Sequence, residues 1–153
     1  MPKLTGDHMC DEEKSDNIEY RFVRSWPPED IVSLYKAGGW WKDHYDPKGI
    51  LPLIEKSFAF TVAVDEKSGR TLGMGRIISD GVSDAYLQDI VVLPEHRRKG
   101  IGKKILKKMV EHCRKQGLVW IGLIAEESTE DFYSPMGFKR FEGQPMVYEP
   151  GDN

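Results

Sequence analysis

Between residues 85 and 125 the chain runs through strand, helix and strand signals in an order that leaves little topological freedom. Residues 85–93 form a largely apolar run that stops at Pro94. Residues 100–116 then set Ile101, Ile105, Leu106, Met109, Val110 and Cys113 on one side and Lys103, Lys104, Lys107, Lys108, Glu111 and Lys115 on the other. That is the period of an amphipathic helix, and Gly117 stands where a C-cap belongs. Residues 119–125 are apolar again. Two strands joined through such a helix lie parallel in one sheet, with a right-handed crossover.

The flanking segments extend this unit. Residues 18–24 alternate and read as a strand. Pro27 and Pro28 open a helix with Glu29 and Asp30 in its first turn and Ile31, Leu34 and Tyr35 as its apolar face. Gly38 and Gly39 end it, an aromatic loop follows with Trp40, Trp41, His44 and Tyr45, and Pro47 opens a second short helix to about residue 57. Residues 58–64, 70–78 and 85–93 are three consecutive strands separated by turn residues, hence an antiparallel meander. Ser128, Thr129, Glu130 and Asp131 resemble a capping box before another short helix, and residues 138–141 and 146–148 are expected to pair as a terminal hairpin. The order β-α-α-β-β-β-α-β-α-β-β implies an α/β (α+β) fold, one mixed and mostly antiparallel sheet of about seven strands with helices on both faces.

The 153 residues suit one domain, assigned here to residues 17–150. Residues 1–16, with two basic and five acidic side chains and no periodicity, are expected to be a disordered tail. The rest of the chain balances twenty basic against twenty acidic groups, yet seven of the twelve residues 97–108 are basic. No apolar run is long enough to span a membrane, and the first residues have no apolar signal core. Cys10 and Cys113 are far apart, and no cysteine or histidine spacing suggests a zinc site, so no metal and a reduced, cytoplasmic setting are expected.

The basic segment sits where a strand gives way to a helix. Helix N-terminal amides lack intrahelical acceptors and form the positive end of the dipole, which makes an anion site. Gly100 and Gly102 leave the backbone open to close approach, and Arg97, Arg98, Lys99 and Lys103 add charge. A Walker A loop does not fit, because Arg97 stands where its first glycine belongs and Lys104 follows Lys103. A dinucleotide fingerprint fails for want of a third glycine near Ile105. A nucleic-acid surface would need a broader basic area with interleaved aromatics, which the neutral body does not offer.

Arg97-Arg98-Lys99-Gly100-Ile101-Gly102 matches every fixed position of [RQ]-x-x-G-x-[GA], and Phe132-Tyr133-Ser134-Pro135-Met136-Gly137-Phe138 matches F-Y-x-x-x-G-F. In these two motifs, their spacing and the order of elements over residues 17–150, the chain resembles the GNAT superfamily of N-acetyltransferases. It is most similar to small-amine types such as the serotonin and glucosamine-phosphate enzymes. The resemblance implies an acetyl-CoA-dependent enzyme acting on the primary amine of a small molecule. The alternatives are a peptide or protein amine, or a non-catalytic CoA-binding regulatory module. It also implies that the backbone amides of Arg97, Arg98, Lys99, Gly100, Ile101 and Gly102 cradle the pyrophosphate, with Lys103 a further cofactor-binding residue through its charge, and that Ile90, Val91 and Val92 pair with the pantetheine arm. Many relatives are homodimers, and that option stays open here.

Acetyl transfer needs a group to take the amine's proton and one to protect the leaving thiolate. The resemblance sets Tyr133 beside the CoA sulfur as general acid. Asp89, a carboxylate in an apolar strand, is the first choice for the base, through a water, or for amine binding. Gln88 is expected on the opposite strand face. His44 and Glu126 are further candidates, and Glu126 occupies a position where relatives often carry asparagine. Trp41 and Tyr45 are expected to hold the acceptor through aromatic or cation–π contact, with Arg76 as a second acceptor-binding residue.

Overall fold

A computed structural model describes residues 17–151. The chain forms β1 (Ile18–Phe22), α1 (Pro28–Ala37), a 3-10 turn at Pro47–Gly49 running into α2 (Ile50–Lys56), then β2 (Ala59–Asp65), β3 (Thr71–Ser79) and β4 (Asp84–Val92). A 3-10 turn at Pro94–His96 leads to α3 (Ile101–Lys115), β5 (Trp120–Leu123), α4 (Glu130–Tyr133) and a last 3-10 turn at Ser134–Met136. The tail assigned to residues 1–16, with Cys10, lies outside the described residues.

The strands lie in sequence order, β1-β2-β3-β4-β5. The first three pairings are antiparallel and β4 pairs with β5 in parallel, as the meander and the crossover predict. Two cores follow from the two sheet faces. Phe60, Val62 and Val64 of β2 pack with Ile31 and Leu34 of α1 and Ile50 and Ile54 of α2. Ala59 and Ala63 share the other cluster with Ile105, Leu106, Met109 and Cys113 of α3. Strand β2 is buried on both sides, which explains its nearly unbroken apolar sequence.

The glycines inside β3 set the height of α3 above the sheet. A Cβ at Gly73 would stand 2.9 Å from Ile105 Cδ1 and 3.1 Å from the Val91 carbonyl oxygen, and one at Gly75 would stand 2.9 Å from Met109 Cε. The helix therefore packs almost onto the strand backbone. On the other face, Trp26 Nε1 donates to Thr71 Oγ1 at 2.8 Å, and Thr71 Oγ1 donates to Asp30 Oδ2 at 2.8 Å, tying the start of α1 to β3.

The C-terminal third departs from expectation. The described sheet has five strands rather than about seven, and the hairpin expected at 138–141 and 146–148 does not form. Its apolar residues find no sheet face to cover. Phe141 meets Trp120 edge-on at 5.9 Å but stays largely exposed, and Met146, Val147 and Tyr148 are exposed almost completely. Pro145 and Pro150 bracket that short run, and a strand without burial has nothing to offset the entropy of ordering it. The capping box also fails: Thr129, the N-cap of α4, makes no side-chain bond to the helix amides and instead donates from Oγ1 to the Glu126 carbonyl at 2.7 Å.

His112, on α3, packs against the rings of Phe22 and Phe58 at centroid distances of 4.6 and 5.6 Å. Burial, and then the charges of Lys108 and Lys115, hold its imidazole below the ordinary range. Folding therefore favours the neutral ring. Its contribution is complete above the unfolded-state pKa of about 6.5 and is lost as pH falls through the lower folded value. Thermal melts should show a falling Tm as pH drops below about 6.5, and His112→Gln should flatten that limb. The same slope in both proteins would show that another group controls it.

Candidate active site

Strand β4 is irregular where its sequence turns polar. Arg76 of β3 pairs with Gln88, and Met74 pairs with Val91, so Gly75 alone stands opposite both Asp89 and Ile90. This is a β-bulge. Asp89 takes φ = 59° there, a left-handed conformation that costs a residue other than glycine about 1–2 kcal/mol. Hydrogen bonds to a charged group are worth about 1.5–3 kcal/mol each, and Asp89 Oδ2 accepts two, from Arg76 Nε at 2.6 Å and from the Tyr35 hydroxyl at 2.7 Å. Two such bonds outweigh the strain. The pair is mostly shielded, with Arg76 and Asp89 side chains 19% and 17% exposed. Burial, and then the Asp89 charge, push the Tyr35 phenol far above its usual range, so it is a permanent donor at neutral pH.

The bulge corrects one expectation. Gln88 was placed on the opposite face from Asp89, yet Arg76 Nη2 donates to Gln88 Oε1 at 2.8 Å while Arg76 Nε serves Asp89. Simple alternation fails because the extra residue re-aims the side chains. Tyr35 was legible only as a core residue of α1, and its hydroxyl contact spans 54 positions in sequence.

Asp89 and Arg76 lie at the edge of a cavity of about 470 Å³ whose walls include Trp40, Trp41, Tyr45 and Leu53. Trp41 and Tyr45 meet edge to face at 5.6 Å, and Tyr35 packs 6.4 Å from both Trp40 and Trp41. His44 also borders the cavity, edge-on to Tyr45 at 4.8 Å. The residues expected to hold an acceptor therefore share one space with the expected base.

Beyond the bulge, β4 changes neighbours. Its parallel pairing with β5 runs from Asp84 opposite Trp120 to Leu87 opposite Leu123 and stops. The edge of β4 from Gln88 to Val92 has no strand beside it among the described residues. That edge leads through Pro94–His96 into the basic loop. Here Arg98 has φ = 62° and Gly100 has φ = 81°. Alternating left-handed residues turn successive amides inward as an anion-binding nest. Gly100 is the N-cap of α3 and supplies no side-chain cap, so the first amides of this fifteen-residue helix have no acceptor among the described residues.

The loop residues divide their tasks. The Arg97 amide donates to Pro94 O at 3.3 Å, and its guanidinium donates to Val92 O at 2.9 Å and to Ala37 O at 3.2 Å. Arg97 thus braces the loop against β4 and the end of α1. Gly102 serves packing: a Cβ there would come within 3.3 Å of Phe132 Cζ and 3.6 Å of Val92 Cγ2. Tyr133 follows Phe132 on α4, in edge contact with Phe132 at 4.9 Å and Phe138 at 6.0 Å. Burial, and then the Glu126 charge, raise its phenol above the ordinary range and keep it protonated at neutral pH. Tyr133 does not border the aromatic cavity. Among the described residues no group of three His, Cys, Asp or Glu side chains is placed to hold a metal, and no helix is long and apolar enough to cross a membrane. Replacing the carboxylate by an amide weakens both bonds at the bulge. Asp89→Asn should cost about 1–3 kcal/mol in denaturant unfolding, and an unchanged midpoint would show that the ion pair does not hold the bulge.

A family model described as an acetyltransferase (GNAT) domain matches residues 56–140. Among curated proteins, the chain is 34% identical over 73 residues to GCN5-related N-acetyltransferase 1, chloroplastic, of Arabidopsis thaliana, covering 48% of this chain and 37% of that one. It is 32% identical over 76 residues to serotonin N-acetyltransferase 2, chloroplastic, of Oryza sativa subsp. japonica, covering 50% and 38%. The matched stretch thus spans little more than a third of these relatives' length. Among solved structures, a GNAT family acetyltransferase from Streptococcus pneumoniae superposes with a TM-score of 0.70 at 25% identity, over 88% of this chain and 99% of that one. Glucosamine-6-phosphate N-acetyltransferase from Arabidopsis thaliana shares the fold, with a TM-score of 0.68 at 17% identity over 86% and 97%. The family model spans more than half of the sequence and both motifs, on a fold of that type: the chain belongs to the GNAT acetyltransferase family.

Proposed function

We propose that this chain transfers an acetyl group from acetyl-CoA directly to a primary amine of a small molecule. The observation that carries the reading is the continuity of β4. Asp89 lies at the aromatic cavity, and the same strand then runs on with an open edge into the amide-rich loop. An acceptor site and an anion cradle thus lie on one backbone track.

Acetyl-CoA supplies the thioester-activated acetyl group. The residues present fit it. Amides of Arg98, Lys99, Gly100, Ile101, Gly102 and Lys103 would receive the pyrophosphate, with Arg97 holding the loop in shape. Ile90, Val91 and Val92 offer an open main-chain edge to the pantetheine amides, as a sheet edge does to an added strand. The Val92 carbonyl is already taken by Arg97, and the Leu93 amide donates to Leu72 O of β3, so alternation turns Val91 into the β3 ladder too and leaves the Ile90 groups and the Val92 amide facing the open edge.

An alkylammonium acceptor has a pKa of about 10 and must lose a proton before attack. Asp89 Oδ2 is engaged by Arg76 and Tyr35, which leaves Oδ1 to accept from the amine or from a water beside it. Arg76 serves the acceptor by orienting Asp89 and cancelling its charge rather than as a bare cation. Trp41 and Tyr45 close the acceptor space with aromatic faces, which suits a compact amine better than an extended peptide. Tyr133 Oη holds a proton for the departing thiolate, since its environment keeps the phenol neutral.

The test joins calorimetry with acetyl-CoA to a thiol-release assay against aryl-alkyl amines, polyamines, amino sugars and peptides. Saturable binding with amine-dependent thiol release is expected. Tyr133→Phe should lower kcat by about a hundredfold with acetyl-CoA affinity retained. Absent acetyl-CoA binding would overturn the reading, and unchanged turnover in Tyr133→Phe would remove that residue from the chemistry.

A further inference from the structure

Glu126 is a carboxylate that the roles assigned so far do not use. It lies just beyond β5, on the short loop before α4. Its carbonyl accepts from both the Thr129 amide at 3.1 Å and Thr129 Oγ1 at 2.7 Å, and Ser128 between them takes φ = 68°. The loop is thus folded tightly onto Glu126. The side chain reaches 86 positions back: Trp40 Nε1 donates to Glu126 Oε1 at 2.7 Å.

This contact spans the two halves of the site. Trp40 is a wall of the aromatic cavity. The Glu126 charge also adds to burial in raising the Tyr133 phenol. Glu126 is exposed and does not itself line the cavity, so it meets the acceptor space through Trp40. The local charge inventory sharpens the point. Asp89 is neutralised by Arg76, and Asp46 at the cavity rim caps its own turn by accepting from the Lys48 amide at 2.9 Å. Glu126 has no cationic partner among the described residues, and its Oε2 has no hydrogen-bond partner among them. A carboxylate with one oxygen fixed by an indole and the other free is built to accept from a cation. The indole and phenol faces of Trp40, Trp41 and Tyr45 offer cation–π attraction from the cavity side of that contact.

We propose that Glu126, oriented by the Trp40 indole, is the specificity-determining residue that receives the ammonium group of the acceptor, so that the site selects cationic amines over neutral molecules of the same shape. The proposal rests on the acyl-transfer reading above and deepens it. The substrate class it names is a protonated primary amine on a compact, largely apolar body.

The experiment compares 2-phenylethylamine with 2-phenylethanol, a neutral molecule of nearly the same shape, by quenching of the intrinsic tryptophan fluorescence of the full chain. The wild-type chain should bind the amine about tenfold more tightly, the scale of one charge-assisted contact. Glu126→Gln retains an oxygen for the Trp40 indole but no charge, and should bring the two affinities together. Glu126→Asp should restore part of the preference, and Trp40→Phe should weaken it by releasing the carboxylate. In turnover, Glu126→Gln should raise KM for the amine with little change in kcat. A wild-type chain that shows no preference for the amine, or a preference that survives Glu126→Gln, would overturn the proposal. Calorimetry with acetyl-CoA on the same proteins keeps the two readings apart: lost acetyl-CoA binding counts against acyl transfer, whereas the amine-to-alcohol ratio alone decides the role of Glu126.

Discussion

The site depends on the shared grip of Arg76 and Tyr35 on one oxygen of Asp89. Without those two bonds, a left-handed aspartate in the middle of a sheet has only strain to show for itself. With them, β4 keeps a bulge that sets Asp89 toward the aromatic cavity. The bulge comes just after β5 has stopped pairing at Leu87 and Leu123, so the next residues of β4 have an open edge. One ion pair therefore fixes the end of a regular sheet and the start of the proposed binding track. Tyr35 reaches Asp89 from α1 and Arg76 from β3, which makes the site sensitive to the packing of α1 on the sheet.

The second half of the track rests on backbone geometry more than on side-chain charge. The run 97–108 is densely basic, yet its cations have varied uses. Arg97 braces the loop, and Lys104 and Lys108 lie over the rings of Tyr20 and Phe22 at 5.8 and 4.6 Å. What remains for an anion is the row of amides turned inward by Arg98 and Gly100, with Arg98, Lys99 and Lys103 as the cations of that segment. Gly102 connects this loop to the proposed general acid, since its missing side chain lets Phe132 approach, and Phe132 carries Tyr133 next to it in sequence.

Much of this was legible in the sequence, for identifiable reasons. The meander and the parallel crossover follow from apolar runs and glycine stops, which are local signals. The loop was legible because its glycines and basic residues lie in one short segment. Asp89, Arg76, Trp41 and Tyr45 could each be singled out by residue type, and the fold brings them to one cavity. What could not be read were contacts made across the chain. Tyr35 reads as core because its ring is core, and only its hydroxyl is not. Gln88 was placed by alternation, and a bulge has no local sequence mark. The Trp40–Glu126 contact joins two loops that no periodicity links. The terminal hairpin failed for the converse reason: residues 146–148 have strand-like composition, but the fold gives them no face to bury.

The central claim is that the open edge of β4 and the loop before α3 form one continuous track for the donor. Backbone amide shifts measured by NMR during a CoA titration address it residue by residue. The largest changes should fall on the amides of residues 98–103 and on those of Ile90 and Val92, with the outward lysine side of α3 nearly silent. Shifts concentrated on that lysine side, with the loop amides unmoved, would contradict the account.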